Sequence, residues 1–190
     1  MSDNFLQTLT QTPYGWIIIV CCVIFFLPQL LGFNPNVINT LFAKDNLAIA
    51  DGEWYRLITS VFLHGSFIHL VLNMYSLYVI SPQVMDIYQH YGKNDNLSFF
   101  LIFMISGVLG SLASFFLTAN PSLGASGAIF GLIGALLAYG IIKSDFSIVS
   151  GVMQIIVINI IFGLTGGIDN MAHFGGLAGG LAVGSILLLI

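Results

Sequence analysis

The sequence contains 190 residues, of which 57% are hydrophobic and 6% are charged, and its formal net charge at pH 7 is −4. Soluble domains carry roughly 25% charged residues, so this composition excludes an ordinary soluble domain and indicates an integral membrane protein. The net charge argues against nucleic acid as a partner, because the 4 Lys and Arg residues form no basic stripe that could neutralise phosphates. Cys21 and Cys22 are adjacent, so the sequence implies no disulfide framework.

Six apolar runs have the length of membrane-spanning helices, since a bilayer core about 30 Å thick is crossed by about 20 apolar residues. Gly, Pro and Asn mark most of the gaps between the runs, as in GFNPN, YGKNDN, TANPSLG and LTGGIDN. Strands are disfavoured because an open sheet edge does not survive in lipid. The sequence therefore predicts an all-α polytopic membrane protein with one domain over residues 1–190. Its six helices are predicted at residues 14–31, 66–88, 97–118, 126–142, 147–164 and 171–190.

The first run, residues 14–31, follows a segment without Lys or Arg and lacks a small-residue cleavage pattern. We interpret it as a permanent span and not as a signal peptide. Charge does not orient the six helices across the bilayer. Lys93 and Lys143 fall on one side of the membrane, and Lys44 and Arg56 fall on the other, so the positive-inside rule gives a tie.

Polar residues follow one face of the second predicted helix. Ser66, His69, Asn73 and Ser76 are spaced three, four and three residues apart, which places all four on one side of a helix. Polar groups inside a span are costly and are candidates for a functional site. His69 and Asn73 can point at one locus, whereas His64 belongs to another face or to the loop before the helix.

A serine and a histidine begin two helices that are separated by two crossings of the membrane. Ser126 lies in GASGAIFG at the start of the fourth helix, and His173 lies in AHFGGLAGG at the start of the sixth. Two crossings return the chain to the side it left, so the two residues are predicted at similar depth on one face. A serine hydroxyl becomes a strong nucleophile when a base takes its proton, and imidazole is the usual base. The pattern predicts a catalytic dyad with Ser126 as nucleophile and His173 as general base.

Attack by a serine creates an oxyanion, which needs hydrogen-bond donors that are already in place. Ser126 begins a helix, where backbone N–H groups are free and the helix dipole favours negative charge. His69 and Asn73 can add side-chain donors from the second helix. We therefore predict that these two residues stabilise the transition state.

Small residues on the fourth and sixth helices predict a close contact between them. A stripe of glycines lets two helix backbones approach, and a short bond between Ser126 and His173 requires such an approach. The glycines near the candidate residues are Gly127, Gly131 and Gly134 on the fourth helix, and Gly176, Gly180 and Gly184 on the sixth.

Three further polar residues have roles that the sequence leaves open. Asp169 lies four residues before His173 and could complete a triad, but its place at a helix start favours a cap or a dipole partner. Gln154 and Asn159 in the fifth helix are interpreted as helix-to-helix hydrogen bonds rather than catalytic groups.

Three separated motifs resemble the signature regions of the rhomboid intramembrane serine proteases, in the order of that family. The motifs are GEWYRLITSVFLHGSFIHLVLNMYSL, GASGAIFGLIGA and IDNMAHFGGLAGG, and the resemblance runs from about Gly52 to the C-terminus. It implies a six-helix core, Ser126 as nucleophile, His173 as general base, and His69 and Asn73 on the oxyanion side. It also implies a dyad without a carboxylate partner and an active site that opens to the extracytoplasmic side of a cell membrane.

Three further residues are interpreted with the family resemblance in mind, namely Phe130, Trp54 and Arg56. Phe130 occupies the place where a tyrosine of the family often packs on the catalytic imidazole, and a phenyl ring keeps that stacking surface. Trp54 and Arg56 lie before the second helix, where we favour a structural role.

The sequence as a whole predicts an intramembrane serine endopeptidase that cleaves transmembrane protein substrates in or near their spans, inside the lipid bilayer. The chain lacks HExxH, which disfavours a zinc protease, although His69 and His173 could in principle share a metal. It also lacks a pair of mid-span aspartates for an aspartyl mechanism, and it lacks a P-loop. The predicted serine chemistry calls for no metal or organic cofactor. Two alternatives stay open, namely a rhomboid-like binder of membrane proteins that does not cleave them, and a small transporter with a polar central cavity. The natural substrate and the oligomeric state do not follow from the sequence.

Overall fold

The computed structural model describes residues 13–163 and 167–190. Nine α-helices lie in these ranges: α1 (Pro13–Leu30), α2 (Pro35–Phe42), α3 (Asn46–Ala50), α4 (Arg56–Thr59), α5 (Phe67–His90), α6 (Asp95–Leu117), α7 (Ser126–Lys143), α8 (Phe146–Gly163) and α9 (Asn170–Leu189). A 3-10 turn at Ser60–Phe62 precedes α5, and the pairing of Lys44 with Ser122 is an isolated β-bridge.

The six long helices α1, α5, α6, α7, α8 and α9 coincide with the six predicted spans, and their ends differ from the predicted ends by at most two residues. Residue 164, the predicted end of the fifth span, lies outside the described residues. Five of the six are long and apolar enough to cross a membrane, and among the described residues α8 is apolar over Phe146–Ile161. The predicted all-α membrane fold is confirmed.

Side-chain caps explain where several of these helices begin. Ser66 Oγ accepts a hydrogen bond from His69 N at 3.2 Å at the start of α5. Asn94 Oδ1 accepts from Leu97 N at 3.0 Å at the start of α6. Helix α7 differs, because the residue before it is Ala125, which offers no side-chain cap. The first N–H groups of α7 therefore stay available to another acceptor.

Helix α7 lies at the centre of the bundle and packs against α5, α6, α8 and α9. Its contact with α9 is made by backbone atoms. A Cβ added at Gly176 would overlap Gly127 O, and a Cβ added at Gly180 would overlap Gly131 O. The predicted close approach of the fourth and sixth membrane helices is confirmed, and glycine is what permits it.

The segment between α1 and α5 is fixed against the rest of the fold by polar contacts. Arg56 is buried, donates through Nη1 to Ala43 O at 3.0 Å and forms an ion pair with Glu53 at 2.5 Å. Trp54 packs against Phe115 of α6 with ring centroids 6.1 Å apart. The structural role that we favoured for Arg56 and Trp54 agrees with these contacts.

The polar side chains of helix α8 were expected to bond to other helices. Asn159 Nδ2 donates to Ile155 O at 2.8 Å, one turn earlier in the same helix, and its bond to another helix stays a prediction. A carbonyl oxygen one turn earlier in the same helix competes with acceptors on other helices for such an amide. Gln154, the other polar residue considered in this helix, is exposed.

Candidate active site

The structure brings together the serine and the histidine that begin α7 and α9. His173 Nε2 lies 2.8 Å from Ser126 Oγ, although the two residues are 47 positions apart in the chain. His173 is 6% exposed, and Ser126 is partly buried. The pair is thus a short hydrogen bond between a hydroxyl and an imidazole at the ends of two membrane helices.

An aromatic ring holds the imidazole on its other side. Phe130, one turn after Ser126 in α7, stacks on His173 with ring centroids 4.2 Å apart and an angle of 12° between the planes. The phenyl ring is 4% exposed. Because this face of the imidazole is covered, rotation of the ring away from Ser126 would break the stack. The stacking that the family resemblance implied for Phe130 is present.

The ring of His69 packs against Gly124, two residues before Ser126. A Cβ placed on Gly124 would lie 2.7 Å from His69 Cε1 and 2.8 Å from His69 Nε2, so the imidazole lies against the segment that leads to Ser126. Gly124 has φ of +131°, a conformation that side chains rarely adopt. Its N–H donates to Ser60 O at 2.9 Å, which holds this segment next to the 3-10 turn that precedes α5.

Asn73 is buried, and its side chain hydrogen-bonds to the backbone of its own helix. Its Nδ2 donates to His69 O at 2.9 Å, one turn earlier in α5. An amide nitrogen has two hydrogens, so one remains for another acceptor. Of the two expected oxyanion donors, His69 lies beside the segment before Ser126. Asn73 bonds to the backbone of its own helix, α5.

The two serines of the predicted polar face also bond locally. Ser66 caps the helix, and Ser76 Oγ donates to Leu72 O at 2.9 Å.

His64 lies in the loop before α5, which is one of the two positions that the sequence left open for it. Its ring meets the ring of His69 edge-on, with centroids 5.1 Å apart. Burial lowers the pKa of His64 to about 4, with a smaller contribution from His69, so His64 is neutral at pH 7.

Asp169 caps α9, and its carboxylate bonds to groups other than the imidazole of His173. One carboxylate oxygen accepts from Ala172 N at 3.0 Å, and the other accepts from Ser114 Oγ. Both oxygens thus have partners other than the ring of His173. The predicted role of Asp169 as a helix cap is confirmed.

Sequence reasoning missed Ser114 and Lys44, which lie near the start of α9 and the loop before α7. Ser114 Oγ is 3.1 Å from Thr118 Oγ1, and Lys44 Nζ donates to Asn120 O at 3.0 Å. A signal for Ser114 was present, because Ser111, Ser114 and Thr118 are spaced as neighbours on one face of α6. Across the described ranges, no group of three or more His, Cys, Asp or Glu side chains is arranged to hold a metal ion.

Comparison with known proteins identifies the family that this chain matches. The family model of the Rhomboid domain matches residues 51–190. Rhomboid protease GluP of Bacillus subtilis (strain 168) is 39% identical over 172 residues, which are 87% of this chain and 32% of GluP. RHOMBOID-like protein 5 of Arabidopsis thaliana is 36% identical over 169 residues, 85% of this chain and 53% of that protein.

A shorter relative is matched over more of its length. Putative rhomboid protease YdcA of Bacillus subtilis (strain 168) is 33% identical over 144 residues, 71% of this chain and 68% of YdcA. The chain spans about a third of GluP and about half of RHOMBOID-like protein 5. Since the domain match covers most of the chain and agrees with the three sequence motifs, this multi-pass membrane protein belongs to the rhomboid family.

Proposed function

We propose that the chain is an intramembrane serine endopeptidase with Ser126 as nucleophile and His173 as general base. One observation carries the proposal, the 2.8 Å contact between Ser126 Oγ and His173 Nε2 at the ends of two membrane helices. Relatives that are named as proteases support the reaction class. In this proposal the chain acts as one domain over residues 1–190.

The reaction has an acylation step and a deacylation step, and Ser126 and His173 take part in both. With the imidazole proton on Nδ1, His173 Nε2 takes the proton of Ser126 while Oγ attacks the scissile carbonyl. The imidazolium then gives that proton to the leaving amine, and the peptide bond breaks to leave an acyl-serine. Water, deprotonated by His173, hydrolyses the acyl-serine and restores both residues.

The Phe130 stack supports a dyad without a carboxylate. In a Ser-His-Asp triad the carboxylate orients the imidazole. Here the carboxylate of Asp169 is engaged by Ala172 and Ser114, and the phenyl ring of Phe130 holds the plane of His173.

The oxyanion is stabilised from two directions in this proposal. Helix α7 begins at Ser126 without a side-chain cap, so its first N–H groups and the positive end of its dipole face the reacting carbonyl. His69 lies beside the preceding segment, and the second amide hydrogen of Asn73 completes the set. Loss of one such donor typically slows a hydrolase about 100-fold to 1,000-fold.

The substrates in this proposal are transmembrane segments of membrane proteins. A helix protects its carbonyls by internal hydrogen bonds, so the scissile segment must unwind before Ser126 can attack. Gly and Pro near the cut favour that unwinding, and the family resemblance adds a small residue before the cut. In this proposal the protein lies in a cell membrane with its active site open to the extracytoplasmic side, and the family resemblance supports that orientation.

The test is covalent labelling of the purified protein in detergent by a serine-directed fluorophosphonate. We expect the wild type to be labelled, and also Ser76→Ala, which is the matched control. We expect no labelling of Ser126→Ala or His173→Ala. Label that survives in Ser126→Ala would place the nucleophile elsewhere. A folded wild type that takes no label would favour a non-proteolytic binder or a transporter.

Cleavage of a single-span substrate in liposomes then separates a protease from an esterase. Fragments that form with the wild type and not with Ser126→Ala support proteolysis. Labelling without cleavage of any Gly- or Pro-containing span would contradict it.

A further inference from the structure

A buried lysine outside the membrane helices holds the loop that leads to the nucleophile. Lys44, between α2 and α3, has 0% of its surface exposed. Its main chain pairs in both directions with Ser122, with N to O distances of 3.0 Å. Its Nζ donates to Asn120 O at 3.0 Å and lies 3.4 Å from both Thr118 O and Thr118 Oγ1. Lys44 thus binds the loop through its backbone and its side chain together.

The helix that carries the base is anchored to the same place. Asp169 caps α9 four residues before His173, and its second carboxylate oxygen accepts from Ser114 Oγ of α6. Ser114 Oγ also lies 3.1 Å from Thr118 Oγ1 and 3.3 Å from Ser122 Oγ. A continuous chain of polar contacts therefore runs from the cation of Lys44 through hydroxyl groups to the carboxylate of Asp169.

The charges at the two ends of this chain are opposite. Burial lowers the pKa of Lys44, and the carboxylates of Asp169 and Asp45 oppose that shift. Two opposite charges connected by polarised hydroxyls stabilise one arrangement of the groups between them. One end is Lys44, which bonds to the loop before Ser126, and the other is Asp169, the N-cap of the helix that carries His173.

We propose that Lys44, Ser114 and Asp169 form a positioning cluster that sets the distance between Ser126 and His173. None of the three contacts the reacting atoms in this mechanism. They act by fixing the loop before α7 to the start of α9 through the end of α6. This inference rests on the proposed function, because its readout is the chemistry of the dyad.

The experiment compares kcat, KM and the rate of fluorophosphonate labelling across variants of the full chain in detergent. Ser114→Ala, Lys44→Met and Asp169→Asn each interrupt the cluster, and Asn at position 169 still caps the helix. Lys44→Arg keeps the cation, and Lys93→Met is the control that removes a cation from the opposite end of the bundle. Thermal unfolding of every variant reports whether it folds.

We expect kcat and the labelling rate to fall together by about 10-fold to 100-fold in the interrupted variants, with KM within about twofold, because a small displacement of a catalytic pair is costly. Lys44→Arg should recover part of the rate, and Lys93→Met should match the wild type. The double variant Lys44→Met with Asp169→Asn should lose no more than the worse single variant, since both break one cluster.

Two results would overturn the cluster. One is a folded Ser114→Ala protein, the mildest change, with the kcat of the wild type. The other is a double variant whose loss equals the product of the single losses. Either result would leave the dyad proposal intact as long as the wild type labels at Ser126, whereas a wild type without Ser126-dependent labelling would end the dyad proposal itself.

Discussion

Helices α9 and α8 both pack against α7, but the contacts differ in kind. At α9 the backbones touch, so a Cβ at Gly176 or Gly180 has no room beside the carbonyl oxygens of α7. At α8 the nearest atoms to a Cβ at Gly140 are side-chain methyl groups, with Val149 Cγ2 at 3.0 Å. The difference shows which helix fixes the site, since the spacing of α7 and α9 is set by main-chain atoms that cannot repack.

The largest effect is expected from adding one methyl group to the contact between α7 and α9. Gly180→Ala would push a Cβ into Gly131 O and separate α7 from α9. Overpacking of this kind costs about 1–3 kcal/mol of stability, and a displacement of about 1 Å can cost about 100-fold in rate. We expect a lower unfolding temperature and a loss of fluorophosphonate labelling of about 100-fold or more.

The matched variant on the other helix is Gly151→Ala. Nothing lies within 4 Å of a Cβ at Gly151 in α8, so the added methyl meets open space. Alanine favours a helix over glycine by up to about 1 kcal/mol. We expect equal or slightly higher stability and wild-type labelling. Equal losses in Gly151→Ala and Gly180→Ala would mean that the loss at Gly180 does not come from the close contact between α7 and α9.

The second prediction extends the close fit to the loop before α7. Gly124 and Gly52 both have positive φ, of +131° and +106°, so alanine strains the backbone at either place. Only at Gly124 would the new Cβ also meet a neighbour, the ring of His69 at 2.7 Å. Gly52→Ala should lower stability by about 1–2 kcal/mol and leave kcat unchanged.

Gly124→Ala should add a loss of kcat of about 10-fold to 100-fold, because the new Cβ would displace His69 from the place where we propose that it stabilises the oxyanion. Steady-state cleavage kinetics and thermal unfolding of the two variants separate strain from displacement. A Gly124→Ala protein with the kcat of Gly52→Ala would mean that His69 is not needed where the structure places it.

The sequence predicted the helices and the α7–α9 contact because both follow from local patterns. Apolar runs and turn residues located the six long helices, and a stripe of glycines identified the face of α9 that meets α7. Ser126 and His173 could be paired because two crossings return the chain to one side of a bilayer. The short helices α2, α3 and α4 have no such signal, since they lie outside the spans.

Local spacing could not reveal contacts between distant segments or the choice among hydrogen-bond partners. Lys44 reaches Thr118 across 74 positions, a pairing that no helical period encodes. Asn73 and Asn159 share a helical context in which the carbonyl four residues earlier competes with every tertiary partner. Sequence spacing shows that an amide faces a site but does not show whether it is already occupied.

The smallest effect is expected at the aromatic contact between α7 and α9. Phe130→Leu keeps an apolar side chain and removes the stacked ring, which is worth about 0.5–1.5 kcal/mol. If that energy holds the imidazole of His173 toward Ser126, kcat should fall about 3-fold to 10-fold with KM unchanged. Phe130→Tyr, which retains the ring at its 12° angle to His173, should stay within about twofold of the wild type. Labelling rates measured side by side decide the matter, because a Leu variant as fast as the Tyr variant would show that the backbone contact alone positions the base.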